Sequence, residues 1–201
     1  MTGTWKHLEN NLSDAAEILR LGGILIFPTE TSYGLGCDAT NALAVEKIFA
    51  IKGRDVNKAL PVLIASYEEA ANCVEFSPKA TSLALKFWPG ALNLVLPSLP
   101  TSPISKQCAS TDGFQSVRVS AHPIVTELLI KLGRPLVATS ANLSGQPALY
   151  DLSGLELAFG EKSALIDGMI DVGLLPASPA STTVKVTGDD VQVLRQGSVI
   201  I

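Results

Sequence analysis

The stretch Ile24 to Asp38, ILIFPTETSYGLGCD, constrains the fold more than any other. Ile24-Leu25-Ile26-Phe27 is a short apolar run of the kind that forms a strand buried on both faces. Pro28 has no N–H for the next rung of a ladder, so the strand stops there and polar chemistry begins at its end. Thr29, Glu30, Thr31, Ser32 and Tyr33 then place five hydrogen-bonding side chains in a row. Gly34 and Gly36 follow, suited either to a tight turn or to a backbone that comes close to a ligand. Loops after buried strands are where open α/β sheets bind their ligands.

With 201 residues, 47% of them hydrophobic and 17% charged, the chain is globular and long enough for a full core. We read residues 1–201 as a single domain, with no repeat, low-complexity tract or linker. The densest apolar region, LALKFWPGALNLVLP, is interrupted by Lys86 and Pro89-Gly90, which argues against a membrane span. The N-terminus lacks a basic start followed by an apolar core, so a cytoplasmic location is expected. Cys37, Cys73 and Cys108 are far apart and form no C-x-x-C pair, which fits reduced thiols without a zinc site. His7 and His122 are the only histidines, and neither lies in a motif for a hydrolytic triad or a metal centre, so no metal ligands are assigned. A net charge of −4 gives no overall basic footprint for nucleic acid, although a local basic groove is compatible with it.

Along the chain, Ser13 is expected to cap a helix ending at Gly22-Gly23, and Asn41 a second whose apolar face holds Leu43, Val45, Ile48 and Phe49. Gly53 ends that helix between Lys52 and Arg54. Leu60 to Ala65 reads as a strand, Ser66 as a cap, Ser77-Pro78 as a helix start and Trp88-Pro89-Gly90 as its stop. Leu92 to Leu96 and Val117 to Val119 are further strands, the second carrying Arg118. Pro123 opens another helix, ended by Gly133. Leu136 to Ala138 then runs into Thr139 to Gly145, a junction of the same design as the first. A helix near Leu155 to Phe159, a turn-rich stretch from Asp167 to Pro179 and strands Ser181 to Val186 and Val191 to Leu194 complete the chain. The alternation implies an α/β or α+β fold with a twisted mixed sheet flanked by helices.

Three groups of polar residues follow these elements: Thr29 to Tyr33, Lys52 to Lys58 and Thr139 to Ser144, with Arg118 and Arg195 beside strands. Arg grips planar anions with two bonds and Lys supplies a point charge, so the set suits a substrate with phosphates and a carboxylate. Neither G-x-x-x-x-G-K-[ST] nor G-x-G-x-x-G occurs, so a nucleotide would not be held by a P-loop or a Rossmann turn. An arginine between Val117 and Val119 either faces water or needs a buried anion.

The order PTETSYGLGCDA, KGR, WPG, VRV with HP, TSANLSG, STTV and LRQG resembles the YrdC-like family along almost the whole chain. The resemblance implies a twisted α/β fold with a concave basic face. It also implies synthesis of threonylcarbamoyl-AMP and pyrophosphate from L-threonine, bicarbonate and ATP, with Mg²⁺, for the threonylcarbamoyladenosine modification of tRNA. tRNA or tRNA-modifying proteins would be partners. The family's K-x-R and S-x-N pairs are Lys52/Arg54 and Ser140/Asn142, which together with Lys58 and Arg195 would face the nucleotide. Thr31, Arg118 and Ser181 would face threonine. Because the chain ends shortly after Arg195, it resembles the short bacterial type. Asp55 and Ala59 stand where the family has prolines, WPGALNLVL replaces WPGPLTLVL, and Leu63 takes the place of a threonine-contacting His of some longer members. A non-catalytic RNA-binding module using the same face is the alternative. A carbamoyl-transferring relative from hydrogenase maturation is a third reading, though such domains belong to much larger chains.

Overall fold

The computed structural model describes residues 6–8, 11–55 and 59–201. Its elements in order are β1 (Lys6–His7), α1 (Leu12–Arg20), β2 (Leu25–Pro28), β3 (Tyr33–Gly36), α2 (Ala42–Lys52), β4 (Pro61–Leu63), α3 (Tyr67–Ala71), α4 (Pro78–Phe87) and β5 (Leu92–Pro97). These are followed by β6 (Phe114–Arg118), α5 (Pro123–Leu132), β7 (Leu136–Val137), β8 (Thr139–Ser140), α6 (Leu155–Phe159), β9 (Gly168–Met169), β10 (Thr182–Thr187) and β11 (Asp190–Arg195).

The strands form two mixed sheets, ordered β1-β9-β2-β3-β8 and β11-β10-β5-β6-β4-β7. The expected mixed sheet is thus divided in two, but the division is narrow. β7 and β8 are the end strands of the two sheets, and only Ala138 separates them in the chain. The seam is closed by the Val137 N–H donating to Cys37 O at 2.8 Å, the Ala39 N–H donating to Pro135 O at 2.9 Å, and an antiparallel bridge between Asp38 and Leu136. Small residues permit the approach: a Cβ on Gly36 would run into the Val137 carbonyl oxygen and the Phe27 ring.

Why these segments form these elements is local chemistry. The Asn41 side chain accepts the Ala44 N–H at the start of α2, and Gly53 closes that helix at φ +58°. Ser77 caps α4, with Pro78 in the first turn, where its missing N–H costs nothing. Two expectations fail. Helix α1 is capped by Asn11, whose side chain accepts the Asp14 N–H, and Ser13 lies inside the first turn. Leu43 is 70% exposed, because α2 buries the face carrying Val45, Ile48 and Phe49.

β2 is buried throughout, as its uninterrupted apolar run requires. Leu25 and Phe27 pack with α1 and α5 residues such as Leu19, Val125 and Leu128, whereas Ile24 and Ile26 join the core under α2 and α4. Each such side chain contributes about 1.5–3 kcal/mol when fully buried. Tyr33 to Gly36, read above as the end of a polar loop, is a strand paired antiparallel to β2, with Pro28 opposite Tyr33. β9 lies within the stretch read as turns and pairs parallel to β1 and β2. No helix among the described residues is long and apolar enough to cross a membrane.

Candidate active site

Along β5, residues alternate between the core and the opposite face: Leu92, Leu94 and Leu96 are core, while Asn93 and Val95 line a cleft. The same period of two brings Phe114, Ser116 and Arg118 of β6, Thr183 and Lys185 of β10, and Gln192 and Leu194 of β11 to that cleft. The face of the six-stranded sheet is therefore its floor. One wall comes from the β2–β3 turn, with Thr29, Thr31 and Ser32, and from Thr139 and Ser140 of β8. The cleft encloses about 660 Å³.

Of the residues singled out from sequence, Thr31, Arg54, Arg118, Ser140, Ser181 and Arg195 line it. Lys52 and Asn142 lie directly behind Ser140. The Lys52 ammonium donates to the Ser140 carbonyl at 2.6 Å and to Asn142 Oδ1, and the Ser140 hydroxyl donates to that same Oδ1 at 2.7 Å. The two sequence motifs thus form one hydrogen-bonded unit across 90 residues of chain. Asn142 is turned by its own amide, which donates to the Gln146 carbonyl. Lys58 lies outside the described residues.

The cations converge, and Lys52, Arg54 and Arg118 each feel a neighbouring cation. Burial pushes the Lys52 pKa down to about 8, aided by the nearby Arg54. Burial likewise lowers Arg54 and Arg118, and Arg195 lowers both further. Lys52 and Arg118 are buried, Arg54 is half-buried and Arg195 is exposed, so desolvation opposes the charge of the first two most strongly. Arg54 Nη2 donates to the Ala59 carbonyl at 2.8 Å, while its buried Nε has no acceptor. Arg118, 5% exposed, also has a buried Nε without an acceptor and lies 3.7 Å from Glu30 Oε2. The anion that faces it is Glu30, whose side chain is part-buried.

Arg195 is fixed by Ser181, donating from Nε to its carbonyl at 3.0 Å and from Nη2 to its hydroxyl at 2.9 Å. Sequence reasoning missed the residue that completes this group. Asn93 Nδ2 donates to the Ser181 hydroxyl at 2.8 Å and to Thr183 Oγ1 at 3.2 Å. Its signal was available: one amide inside the apolar run LNLVL. Tyr33, counted among the polar loop residues, is wholly buried. Its hydroxyl lies 2.8 Å from the Gly173 carbonyl and 3.1 Å from Asp171 Oδ1 and accepts the Val172 N–H at 3.0 Å, and burial raises its pKa to about 12. At the far end of the cleft Lys185 pairs with Asp112 at 2.6 Å and covers the Phe114 ring at 3.7 Å from its centroid. Among the described residues no group of three or more His, Cys, Asp or Glu could hold a metal ion.

A mixed α/β fold with a cluster of cations gathered at a cleft over a sheet face has the chemistry to bind anions. The chain belongs to the Sua5/YciO/YrdC family, whose model, described as "Telomere recombination", matches residues 17–197. It is 35% identical over 196 residues to a threonylcarbamoyl-AMP synthase of Bacillus subtilis, covering 94% of this chain but only 54% of that protein. It is 34% identical over 169 residues to the threonylcarbamoyl-AMP synthase of Yersinia enterocolitica, covering 83% and 88% of the two chains. Among solved structures, P. abyssi Sua5 complexed with L-threonine is similar at a TM-score of 0.82 and 35% identity, over 94% of this chain and 54% of that one.

Proposed function

We propose that the chain is an L-threonylcarbamoyladenylate synthase, an enzyme of the nucleotidyltransferase type acting for threonylcarbamoyladenosine formation in tRNA. The observation that carries this reading is the convergence of Arg54, Arg118 and Arg195 on one cleft, with Lys52 directly behind its Ser140 wall and with donors on Arg54 and Arg118 left unpaired. Threonine's amine and bicarbonate combine to a carbamate with loss of water. A carbamate oxygen attacks the α-phosphorus of ATP, the bond from that phosphorus to the bridging oxygen breaks, and pyrophosphate leaves. Two anions must be brought together against their repulsion, and fixed cations do this without a histidine base.

On this reading Lys52, Arg54 and Arg195 hold the phosphates, with Ser140 and Asn142 setting the position of Lys52, and Lys58 belongs to the same group. Arg118, Thr31 and Ser181 hold threonine, Arg118 through a forked grip on the carboxylate. Mg²⁺ would enter as part of the ATP complex, since the described residues offer no cluster of carboxylates to keep it. The continuity of strand order through Ala138 supports treating the chain as one domain. Pyrophosphate release measured with ATP alone, with threonine, and with threonine plus bicarbonate tests the assignment. Release is expected only with all three substrates; equal release without bicarbonate, or salt-sensitive RNA binding with no ATP turnover, would sink it.

A further inference from the structure

Glu30 belongs to the same turn as Thr31, and its carboxylate reaches to the end of β6. Oε2 accepts the Ser120 hydroxyl at 2.7 Å, Oε1 accepts the Ala121 N–H at 3.3 Å, and Oε2 lies 3.7 Å from Arg118 Nη2. The last separation is an ion pair without a hydrogen bond. Among the described residues the Arg118 guanidinium donates no hydrogen bond at all, and its Nε is sealed from solvent. A buried arginine with a purely structural role commonly meets a carboxylate through two parallel bonds. Here the charge is balanced while the donors stay open. Burial alone would raise the Glu30 pKa, but Arg118 and the Ser120 bond outweigh it and hold the carboxyl below its ordinary value, so it is ionised at neutral pH.

We propose that Glu30 is an internal counter-ion with which the substrate's carboxylate competes at Arg118. It keeps a buried cation tolerable in the empty protein and lowers the affinity for the amino acid once the site fills. The inference rests on the assignment of Arg118 to the threonine carboxylate. Two carboxylates sharing one guanidinium lie a few ångströms apart, and at an effective dielectric constant of about 20 their repulsion is ample to weaken binding about tenfold. The site thereby trades affinity for release, and Glu30 is a positioning and tuning residue that need not touch the reacting atoms.

Glu30→Gln keeps the shape and removes the charge; its single amide oxygen can accept the Ala121 N–H while its NH2 group donates to the Ser120 hydroxyl, which can itself accept. Calorimetric titration with L-threonine is expected to show binding about tenfold tighter than in the unmutated protein. The ligand-free variant should melt about 2–4 °C lower, because Arg118 is left unpaired, and threonine should restore more stability than it adds to the unmutated protein. A residue that merely braced the turn would weaken threonine binding when changed, so equal or weaker binding by Glu30→Gln overturns the proposal. Should that variant not fold, threoninol, which lacks the carboxylate, decides the matter on the unmutated protein. A measurable loss of less than about 10-fold relative to threonine supports an offset guanidinium, and a greater loss overturns it, since charged hydrogen bonds that are not offset are worth about 10- to 150-fold. Threoninol binding as tightly as threonine would instead remove the assignment of Arg118 to the carboxylate.

Discussion

The β2–β3 turn and the β7–β8 step both deliver hydroxyl groups to the cleft, and they are held by opposite means. Apart from Glu30, the turn is braced locally: the Thr29 hydroxyl accepts the Thr31 and Ser32 N–H groups at 3.2 and 3.3 Å and donates to the Ser32 carbonyl at 2.7 Å, all within four residues. The step has local bonds too, such as the Ser140 hydroxyl to Asn142 Oδ1 at 2.7 Å, but it leans on distant elements. Ser140 and Asn142 are placed by Lys52, while the Ala141 N–H donates to Tyr33 O and the Ser144 N–H to Lys52 O, each at 2.9 Å. The turn can therefore be damaged in isolation, whereas damage to the step spreads to both sheets and to the cation cluster.

The largest effect expected from that difference is at the seam. Gly36→Ala should cost about 3 kcal/mol or more in chemical denaturation, because its Cβ meets backbone and an aromatic ring that cannot give way together. A near-neutral result would mean that the sheets slide freely at the seam. Next come Lys52→Ala and Arg54→Ala, each expected to lose roughly 1.5–3 kcal/mol of transition-state stabilisation, about 10- to 150-fold in pyrophosphate release. The two should part in stability: Lys52→Ala leaves the Ser140 carbonyl and Asn142 amide oxygen without their cation and lowers the denaturation midpoint, and Arg54→Ala barely moves it. Equal midpoints would break the distinction between a residue that builds the step and one that only faces the cleft.

Arg118→Lys keeps the charge and loses the fork, so threonine affinity should fall about tenfold in calorimetry while ATP affinity holds. Unchanged threonine binding would move Arg118 to the phosphates or to the fold. Thr29→Ala should cost about 1 kcal/mol in melting experiments and leave the Lys52 unit intact, the signature of a local defect.

The smallest effect is in pH. If charged Lys52 holds phosphate, kcat/KM for ATP should fall by about half on approaching pH 8, and a Lys52→Met protein should lack that limb. Stability runs the other way. The lysine is protonated in the unfolded chain up to its ordinary value near 10.5 but loses its proton near 8 when folded, so the unfolded state binds more protons between those values. Stability should rise with pH across that window, and a profile identical in the Lys52→Met protein would show that Lys52 titrates normally.

Much of this architecture was legible in short runs of sequence. Asn41, Ser66 and Ser77 cap as their positions demand, and Gly53, as expected, ends α2 between Lys52 and Arg54. A cation between two valines on a strand was expected either to face water or to meet a buried anion; Arg118 is buried, and the part-buried Glu30 faces it. Illegible were the elements whose partners are distant. Tyr33 to Gly36 has two glycines in four residues and becomes a strand only because β2 and β8 flank it. Gly168–Met169 is too short to show a pattern and is ordered by β1 and β2. At the helix α1 start, Asn11 and Ser13 are both good caps two residues apart, and local chemistry does not separate them. Asn93 was readable as an oddity in an apolar strand, but its partners Ser181 and Thr183 lie 88 and 90 residues away.

The seam at Ala138 also has an elastic consequence. A tilt of one sheet against the other cannot be absorbed by a slack loop, because β7 and β8 are one stretch of backbone with a single residue between them. It would have to break the Val137–Cys37 and Ala39–Pro135 bonds together. The cleft walls should then behave as a stiff plate that yields by snapping rather than by gradual bending, and amide protons of Val137 and Ala39 should exchange with solvent at a common rate.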